Sequence, residues 1–249
     1  MRHLVETERP EQIEISVVIP VFNEVESLPE VVDELTQVLE ETRPSYELVL
    51  VDDGSADGSG AWIEERARRD PRVLGVLLEK NVGQSGALAA GLRHARGGVI
   101  VTLDADGQND PTSIPLLLDA LRDADVVSGV RTNRADSWRR RASSRIANVV
   151  RRAAIGDTIR DVGCSLKAYR REALEDLPLF TGAHRFLPAL CQFRGARVVE
   201  VPVRHRPRRH GVSKYGVGNR LFRGIRDLIG VRWLKSRMLR LKIRRVTHE

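Results

Sequence analysis

Asp104 and Asp106 stand one residue apart in Leu103-Asp104-Ala105-Asp106-Gly107-Gln108, directly after the apolar run Val99–Leu103. Two carboxylates on a turn leaving a buried strand can face one hard cation. Mg2+ and Mn2+ take oxygen ligands and commonly join carboxylates to a substrate's phosphates. The chemistry such a cation serves is the departure of a nucleoside diphosphate, whose developing negative charge it neutralises. An isolated D-x-D is more often a solvated turn, so its position decides the reading.

A second pair, Asp52 and Asp53, follows the run Glu47–Val51 in VDDGS. Acids there can accept hydrogen bonds from a ribose hydroxyl or a base N–H, or begin the next helix with Ser55 or Asp57 as the cap. Pro20, Val21 and Glu24, in PVFNE after the first apolar run, would close the other side of a nucleotide pocket. Asn81–Gly86, around Gly83, opens a helix and can present backbone N–H groups to a phosphate or simply make a tight strand-to-helix turn. A G-x-G-x-x-G fingerprint and a P-loop are both missing, which argues against a dinucleotide enzyme or an NTPase.

These residues need a frame that brings them to one rim. Val- and Ile-rich runs at Ile15–Val21, Glu47–Val51, Val73–Leu78, Val99–Leu103 and Val126–Val130 read as buried strands. Helical spacing separates them at Pro29–Glu41, Ala61–Arg69, Ser85–His94 and Ser113–Arg122, where Ser85–His94 is made of residues small enough to lie close on a sheet. The alternation implies an α/β fold with a mostly parallel sheet covered on both faces. Ligands bind such sheets beyond the carboxyl ends of the strands, where Asn23–Glu24, Asp52–Asp53 and Asp104–Asp106 all fall. Further along, Arg139–Arg152 reads as a basic helix, Gly163–Tyr169 as a strand, Arg171–Leu177 and His184–Phe193 as short helices, and Ala196–Val203 as a strand.

The charge is uneven. The chain of 249 residues carries a net +7, yet 15 of its Lys and Arg and only one acid, Asp227, lie between Arg204 and Arg245. The rest holds 26 basic against 33 acidic side chains. An acidic body with a basic tail points to polyanionic partners: nucleic acid, phosphorylated substrates or an anionic membrane face. Cys164 and Cys191 lack metal-ligand spacing and read as reduced thiols. The N-terminal stretch has no signal-peptide pattern, and no window approaches the roughly 18–20 apolar residues of a membrane span.

IPVFNE, VDDGS, KNVGQSGALAAG, LDADGQNDP and SGVR occur in order at the matching element ends. Together they resemble family 2 glycosyltransferases of the Rossmann-like GT-A fold. SRIAN, DVGCSLKAYRRE, GAHRFLPAL and HRPRRHGVSKYGVGNR are similar to the dolichyl- and polyprenyl-phosphate branch, and the resemblance covers about residues 15 to 235. It implies that Asp106 and Gln108 hold Mg2+ or Mn2+ and that Asp104 lies by the ribose or metal. It places Pro20, Val21, Glu24 and Asp53 in the nucleotide pocket. Arg131, Arg145, Arg208, Ser213 and Lys214 become phosphate clamps, for which a guanidinium fork is suited. The implied reaction is a single inverting displacement from a nucleotide-sugar donor by a polyprenyl phosphate. That acceptor is already an anion and needs positioning more than deprotonation, so no dedicated base is assigned. A transferase extending a glycan is the alternative, and a non-catalytic nucleotide-sugar scaffold a more remote one. Cys164-Ser165-Leu166-Lys167 replaces the Ser-Gly-Phe-Arg of many relatives, which leaves the sugar open.

The domain reading is an extension over 1–14, a catalytic domain over 15–215 and a basic amphipathic tail over 216–249. In the tail, Val217, Leu221, Ile225, Leu228 and Ile229 form one apolar stripe opposite Arg220, Arg223 and Arg226. A second stripe, Val231, Leu234, Met238 and Leu241, resumes after Gly230 in a new phase. Two amphipathic helices meeting at that glycine suit an anionic bilayer with Trp233 near the interface, or packing on the body or on a second subunit of a homo-oligomer. The shortage of aromatics argues against nucleic acid. The expected location is cytoplasmic, peripheral to the inner face of the membrane.

Overall fold

The computed structural model describes residues 13–42, 45–132, 148–208 and 218–238, the last segment with side chains from 224 onward. Strands β1 (Ile15–Val21), β2 (Tyr46–Asp52) and β3 (Val73–Leu77) alternate with helices α1 (Leu28–Thr42), α2 (Ser59–Arg69) and α3 (Gln84–His94). β4 (Val99–Thr102) leads to α4 (Ile114–Ala120), which has a 3-10 turn at each end, and then to β5 (Val126–Arg131). A helical segment, α5, covers 148–155. β6 (Lys167–Arg170), α6 (Arg171–Leu174), α7 (Leu187–Phe193), β7 (Val198–Val203) and α8 (Gly218–Arg237) follow.

The seven strands form one sheet in the order β3-β2-β1-β4-β6-β5-β7. β1 pairs in parallel with both β2 and β4, whereas β6 runs antiparallel to β4 and β5. The chain winds outward from β1 through β2 to β3, then returns to lay β4 on the other side of β1. The crevice between the ends of β1 and β4 is therefore a topological switch point, where doubly wound sheets bind ligands.

Alternation along the strands divides the core. Ile15, Val17, Ile19 and Val21 of β1 face a layer with Leu28, Val32 and Leu35 of α1, Ile63 of α2 and Leu117 of α4. Val18 faces the opposite layer with Ala87 and Leu88 of α3, Leu187 and Leu190 of α7, Ile155 of α5 and Val231 of α8. Side chains a residue apart on a strand point to opposite faces, so a strand buried on both reads as an unbroken apolar run. Each fully buried aliphatic side chain contributes about 1.5–3 kcal/mol. α3 lies closest to the sheet: a Cβ on Gly91 would stand 2.4 Å from Val18 Cγ1 and 2.9 Å from Val51 Cγ2.

The first half of the chain follows the sequence expectation to within two residues at each element end, and the second half departs from it. The strand expected over Gly163–Tyr169 starts only at Lys167 and runs antiparallel. Residues before it are drawn into a turn by Asp161, whose carboxylate accepts from the Gly163 N–H at 3.2 Å and whose carbonyl accepts from Cys164 N–H. The helix expected over Arg171–Leu177 is a single turn, and that over His184–Phe193 is divided into a 3-10 turn, Ala183–Arg185, and α7. The expected pair of tail helices is one continuous helix. Gly230 is exposed with open space around it, so it has no packing reason to interrupt α8. Residues 209–217, at the expected boundary between body and tail, lie outside the described residues, as does most of the expected helix Arg139–Arg152.

Candidate active site at the switch point

Two loops clasp each other beyond β1 and β2. The Asn23 N–H donates to Ser55 Oγ at 2.8 Å, and the Ala56 N–H donates to Asn23 Oδ1 at 2.8 Å. The Glu24 N–H reaches Ser59 Oγ and the Val25 N–H reaches Asp57 Oδ2. Asn23 takes a positive φ of 52°, a conformation its short polar side chain tolerates. Ser27 then ties the β1 side to the D-x-D loop by donating to the Ala105 carbonyl at 2.9 Å. Pro20, Val21, Glu24, Asp52 and Asp104–Asp106 thus gather on one rim.

The acids on that rim have different work. Asp52 accepts from the Ser55 N–H through both oxygens and closes its own turn. Asp53 accepts from Val82 N–H at 2.7 Å and Gly83 N–H at 2.9 Å. Of the two readings of the loop around Gly83, an amide offered to a phosphate and a tight strand-to-helix turn, the Gly83 N–H serves the turn here by donating to Asp53. Burial pushes the Asp53 carboxyl above the ordinary carboxylate range, against those two hydrogen bonds. At Gly54, φ is +69° and a Cβ would lie 2.7 Å from Asn81 N, so glycine lets this turn and the β3–α3 loop touch.

Asp104 accepts from Gln84 Nε2 at 2.6 Å and is hydrogen-bonded to the Ser165 side chain. Burial, and then the neighbouring Asp106, raise its pKa to about 6. Asp106 accepts from its own loop at Gln108 N–H and from Arg208 Nη2 at 2.8 Å. Arg208 also donates to Glu24 Oε1 at 3.3 Å, so one guanidinium spans the two sides of the crevice. The strand end after β7 is stitched to the D-x-D loop. Arg206 N–H donates to the Gln108 carbonyl at 2.8 Å, Asn109 pairs with His205, and the Arg206 side chain holds Asp110 and Glu34.

Arg131, at the end of β5, donates to both oxygens of Asp161 at 2.8 Å, and its charge acts on Asp104. Arg145, Ser213 and Lys214 lie outside the described residues. Five residues without an expected role join the site. Lys167 of β6 is 3% exposed and donates to the His184 carbonyl at 3.4 Å. Ser85 bonds the His184 ring, and Gln84 and Ser165 hold Asp104. Lys167 had a visible signal, since it is where this chain departs from the Ser-Gly-Phe-Arg pattern.

The donor set suits a divalent ion that is completed by substrate. Among the described residues no group of three or more His, Cys, Asp or Glu is arranged to hold a metal. Asp106 instead offers one carboxylate, at a place that already attracts a guanidinium. Gln108 turns its Nε2 to the Arg206 carbonyl at 3.5 Å, which puts its amide oxygen on the opposite edge. Mg2+ is commonly held by one or two carboxylates with substrate phosphates filling its remaining positions.

Against known proteins, the model for "Glycosyl transferase family 2" matches residues 16–178, more than half of the chain. The chain belongs to glycosyl transferase family 2. Two curated relatives are similar to this family 2 member over 205 residues: undecaprenyl-phosphate 4-deoxy-4-formamido-L-arabinose transferases of Edwardsiella ictaluri, at 42% identity, and Aeromonas hydrophila, at 41%. The match takes in 82% of this chain and 63% of each relative, so the chain spans less than two thirds of their length. A solved glucosyl-3-phosphoglycerate synthase from Mycobacterium tuberculosis, in complex with Mn2+, UDP and phosphoglyceric acid, aligns with a TM-score of 0.68 at 21% identity, over 91% of this chain and 79% of that one. A mannosyltransferase from Pyrobaculum calidifontis, in complex with GDP-Man and Mn2+, aligns at 0.62 and 23%, over 90% and 64%. These likenesses show that the family 2 chain shares their α/β, GT-A-type fold.

Proposed function

We propose that this family 2 chain transfers a sugar from a nucleotide-sugar donor to a polyprenyl phosphate. The observation that carries the reading is the crevice itself: Asp104 and Asp106 at the switch point, facing the nucleotide-side residues Glu24, Asp52 and Asp53, with Arg131 and Arg208 alongside. The 42% identity to undecaprenyl-phosphate transferases supports the phosphate acceptor.

In this reading Pro20, Val21, Glu24, Asp52 and Asp53 border the nucleotide, and Asp53 also fixes the loop around Gly83. Asp106 and Gln108 would hold Mg2+ or Mn2+, which when bound neutralises charge on the departing diphosphate. Asp104, held by Gln84 and Ser165, keeps a fixed place beside the ribose or the metal. Arg131 and Arg208, with Arg145 and Lys214 from outside the described residues, orient the acceptor phosphate for attack on the anomeric carbon. Positioning is the main requirement, because the nucleophile is already an anion.

The tail supports work at a bilayer. α8 packs on the body through Val231, Leu228, Leu234 and Met238 but exposes Ile225, Ile229 and Trp233 at 51%, 65% and 63%. Arg226 and Arg232 flank that stripe, and an apolar row edged by arginines suits the headgroup region of an anionic leaflet. No helix among the described residues is long and apolar enough to cross a membrane.

The test is a panel of UDP- and GDP-sugars with a short polyprenyl phosphate and Mg2+ or Mn2+, read by mass spectrometry for lipid-linked sugar. Product that requires donor, phosphorylated lipid and metal together is expected. Transfer to a non-phosphorylated glycan, or no transfer from any nucleotide sugar, would overturn the proposal.

A further inference from the structure

Ser85 Oγ, buried at the start of α3, has three polar neighbours. It accepts from the Gly182 N–H at 3.0 Å and from the His184 N–H at 3.3 Å, and it lies 2.7 Å from His184 Nδ1. A hydroxyl has two acceptor lone pairs and one proton. Both lone pairs face backbone donors that have no other role to play toward it, so the proton must go to His184 Nδ1. A ring nitrogen that accepts carries no hydrogen, and the neutral imidazole then bears its proton on Nε2.

The surroundings oppose a second proton. Burial, Arg185 and Lys167 hold the His184 pKa down at about 3. Lys167 Nζ lies under the same turn, donating to the His184 carbonyl, and Arg185 is paired at 3.0 Å with Asp227 of α8. Among the described residues, Lys167 of β6 and Arg185 of its own turn are the charged groups that act on the ring. The imidazole is therefore neither a general base at Nδ1, which is engaged, nor one at Nε2, which is already protonated. It is a neutral N–H donor of fixed tautomer.

Its position gives that donor an address. Ser85 follows Gln84, which holds Asp104 at 2.6 Å. Lys167, which binds the His184 carbonyl, acts electrostatically on Asp104 as well. Its ammonium has three hydrogens to place, is 3% exposed, and among the described residues makes one long hydrogen bond, at 3.4 Å. Lys167 thus joins the two groups, binding the turn that carries the imidazole donor and acting on the Asp104 carboxylate, while Gln84 and Ser85, adjacent in the chain, hold Asp104 and the His184 ring. A mixed set of acceptors and donors matches hydroxyl groups, each of which both donates and accepts.

We propose that His184, its proton fixed on Nε2 by Ser85, donates a hydrogen bond to a hydroxyl of the transferred sugar, with Lys167 beneath it as the second donor. This rests on the reading of the chain as a nucleotide-sugar transferase and adds a sugar-binding residue to it.

The experiment has two arms. Long-range 1H–15N NMR of the uniformly labelled chain, without substrate, reports the tautomer directly. One neutral histidine with its proton on Nε2 from pH 5 to 8, shifted to an ordinary titration in Ser85→Ala, is expected. A titrating or Nδ1-protonated His184 in the parent chain overturns the proposal whatever the enzyme does. The second arm compares UDP with UDP-glucose, or GDP with GDP-mannose, according to which nucleotide sugar the panel shows to be turned over. His184→Ala should weaken nucleotide-sugar binding about tenfold, the value of one neutral hydrogen bond, and leave binding of the free nucleoside diphosphate unchanged. His184→Gln, which keeps an N–H donor, should recover most of the loss. Equal weakening for diphosphate and nucleotide sugar, or no recovery by Gln, would sink the sugar assignment. Should no nucleotide sugar be turned over, the proposed function fails while the NMR arm still decides the histidine.

Discussion

Arg208 donates to Asp106 Oδ2 at 2.8 Å, and the same guanidinium reaches Glu24 at 3.3 Å on the far side of the crevice. The carboxylate expected to hold a divalent ion is thus held by an arginine, with which a bound divalent ion would compete. The ion pair is about one quarter exposed on the arginine side, where such contacts are worth roughly 0.2–1 kcal/mol. Arg208→Ala should therefore bind Mn2+ about 2- to 5-fold more tightly, measured by titration calorimetry or by loss of the free Mn2+ EPR signal. Unchanged or weaker Mn2+ binding would show that Arg208 does not compete with the metal. Transfer should nonetheless fall, because the guanidinium that leaves Asp106 is then missing from the phosphate clamp.

Asp106 itself has no substitute within reach of the same turn, since Asp104 is committed to Gln84 and Ser165. Asp106→Ala should lower metal-dependent transfer by about a hundredfold or more, by the scale on which single electrostatic contacts to a leaving group act. Initial rates at saturating Mg2+ test this. A variant that turns over donor at the parent rate would remove the D-x-D assignment.

How far the sequence reveals this arrangement depends on the range of the contacts involved. β1, β2 and β4 are legible because a strand buried on both faces must be apolar throughout, and the acids that follow them fall at the switch point for the same topological reason. β6 is not legible: it is four residues long, contains the buried Lys167, and takes its antiparallel direction from the gap between β4 and β5. Gly230 reads as a break only if a glycine is assumed to end a helix, but an exposed helical glycine costs about 1 kcal/mol, which packing of Val231 and Leu234 offsets. In the site, Asp104 and Asp106 are visible as a local pattern. Ser85 and His184 are 99 residues apart in sequence, and nothing local joins them. Arg206 is hidden in another way, as one cation among many in a basic run.

His184 also makes a stability prediction. Its pKa in the folded chain is depressed to about 3, below the 6.5 of a free histidine. Between those values the unfolded chain binds the extra proton and the folded chain does not, so this contribution is present above pH 6.5 and is lost as the pH falls. Urea denaturation at pH 7.5 and pH 5.0 should show His184→Gln losing less stability on acidification than the parent, by about 1–2 kcal/mol. Equal losses in the two proteins would mean that the ring protonates in the folded state.

α8 offers two neighbouring positions with opposite roles. Val231 is fully buried against the second core layer, whereas Trp233 is 63% exposed on the face shared with Ile225 and Ile229. If α8 is both a structural helix and a bilayer contact, the two roles separate by residue. Val231→Ala should cost about 1–3 kcal/mol, a transfer term plus the space left behind, with vesicle binding per folded molecule unchanged. Trp233→Glu should leave the melting temperature within a degree or two, because exposed substitutions away from packed features change stability by at most about 0.5 kcal/mol. It should weaken association with vesicles containing anionic phosphatidylglycerol, since it removes the largest apolar group of the stripe and adds a charge of the wrong sign. Co-sedimentation with anionic and with neutral phosphatidylcholine vesicles measures the effect. Binding of Trp233→Glu to anionic vesicles as strongly as the parent chain would take the membrane away from this face of α8, and leave the helix as packing alone.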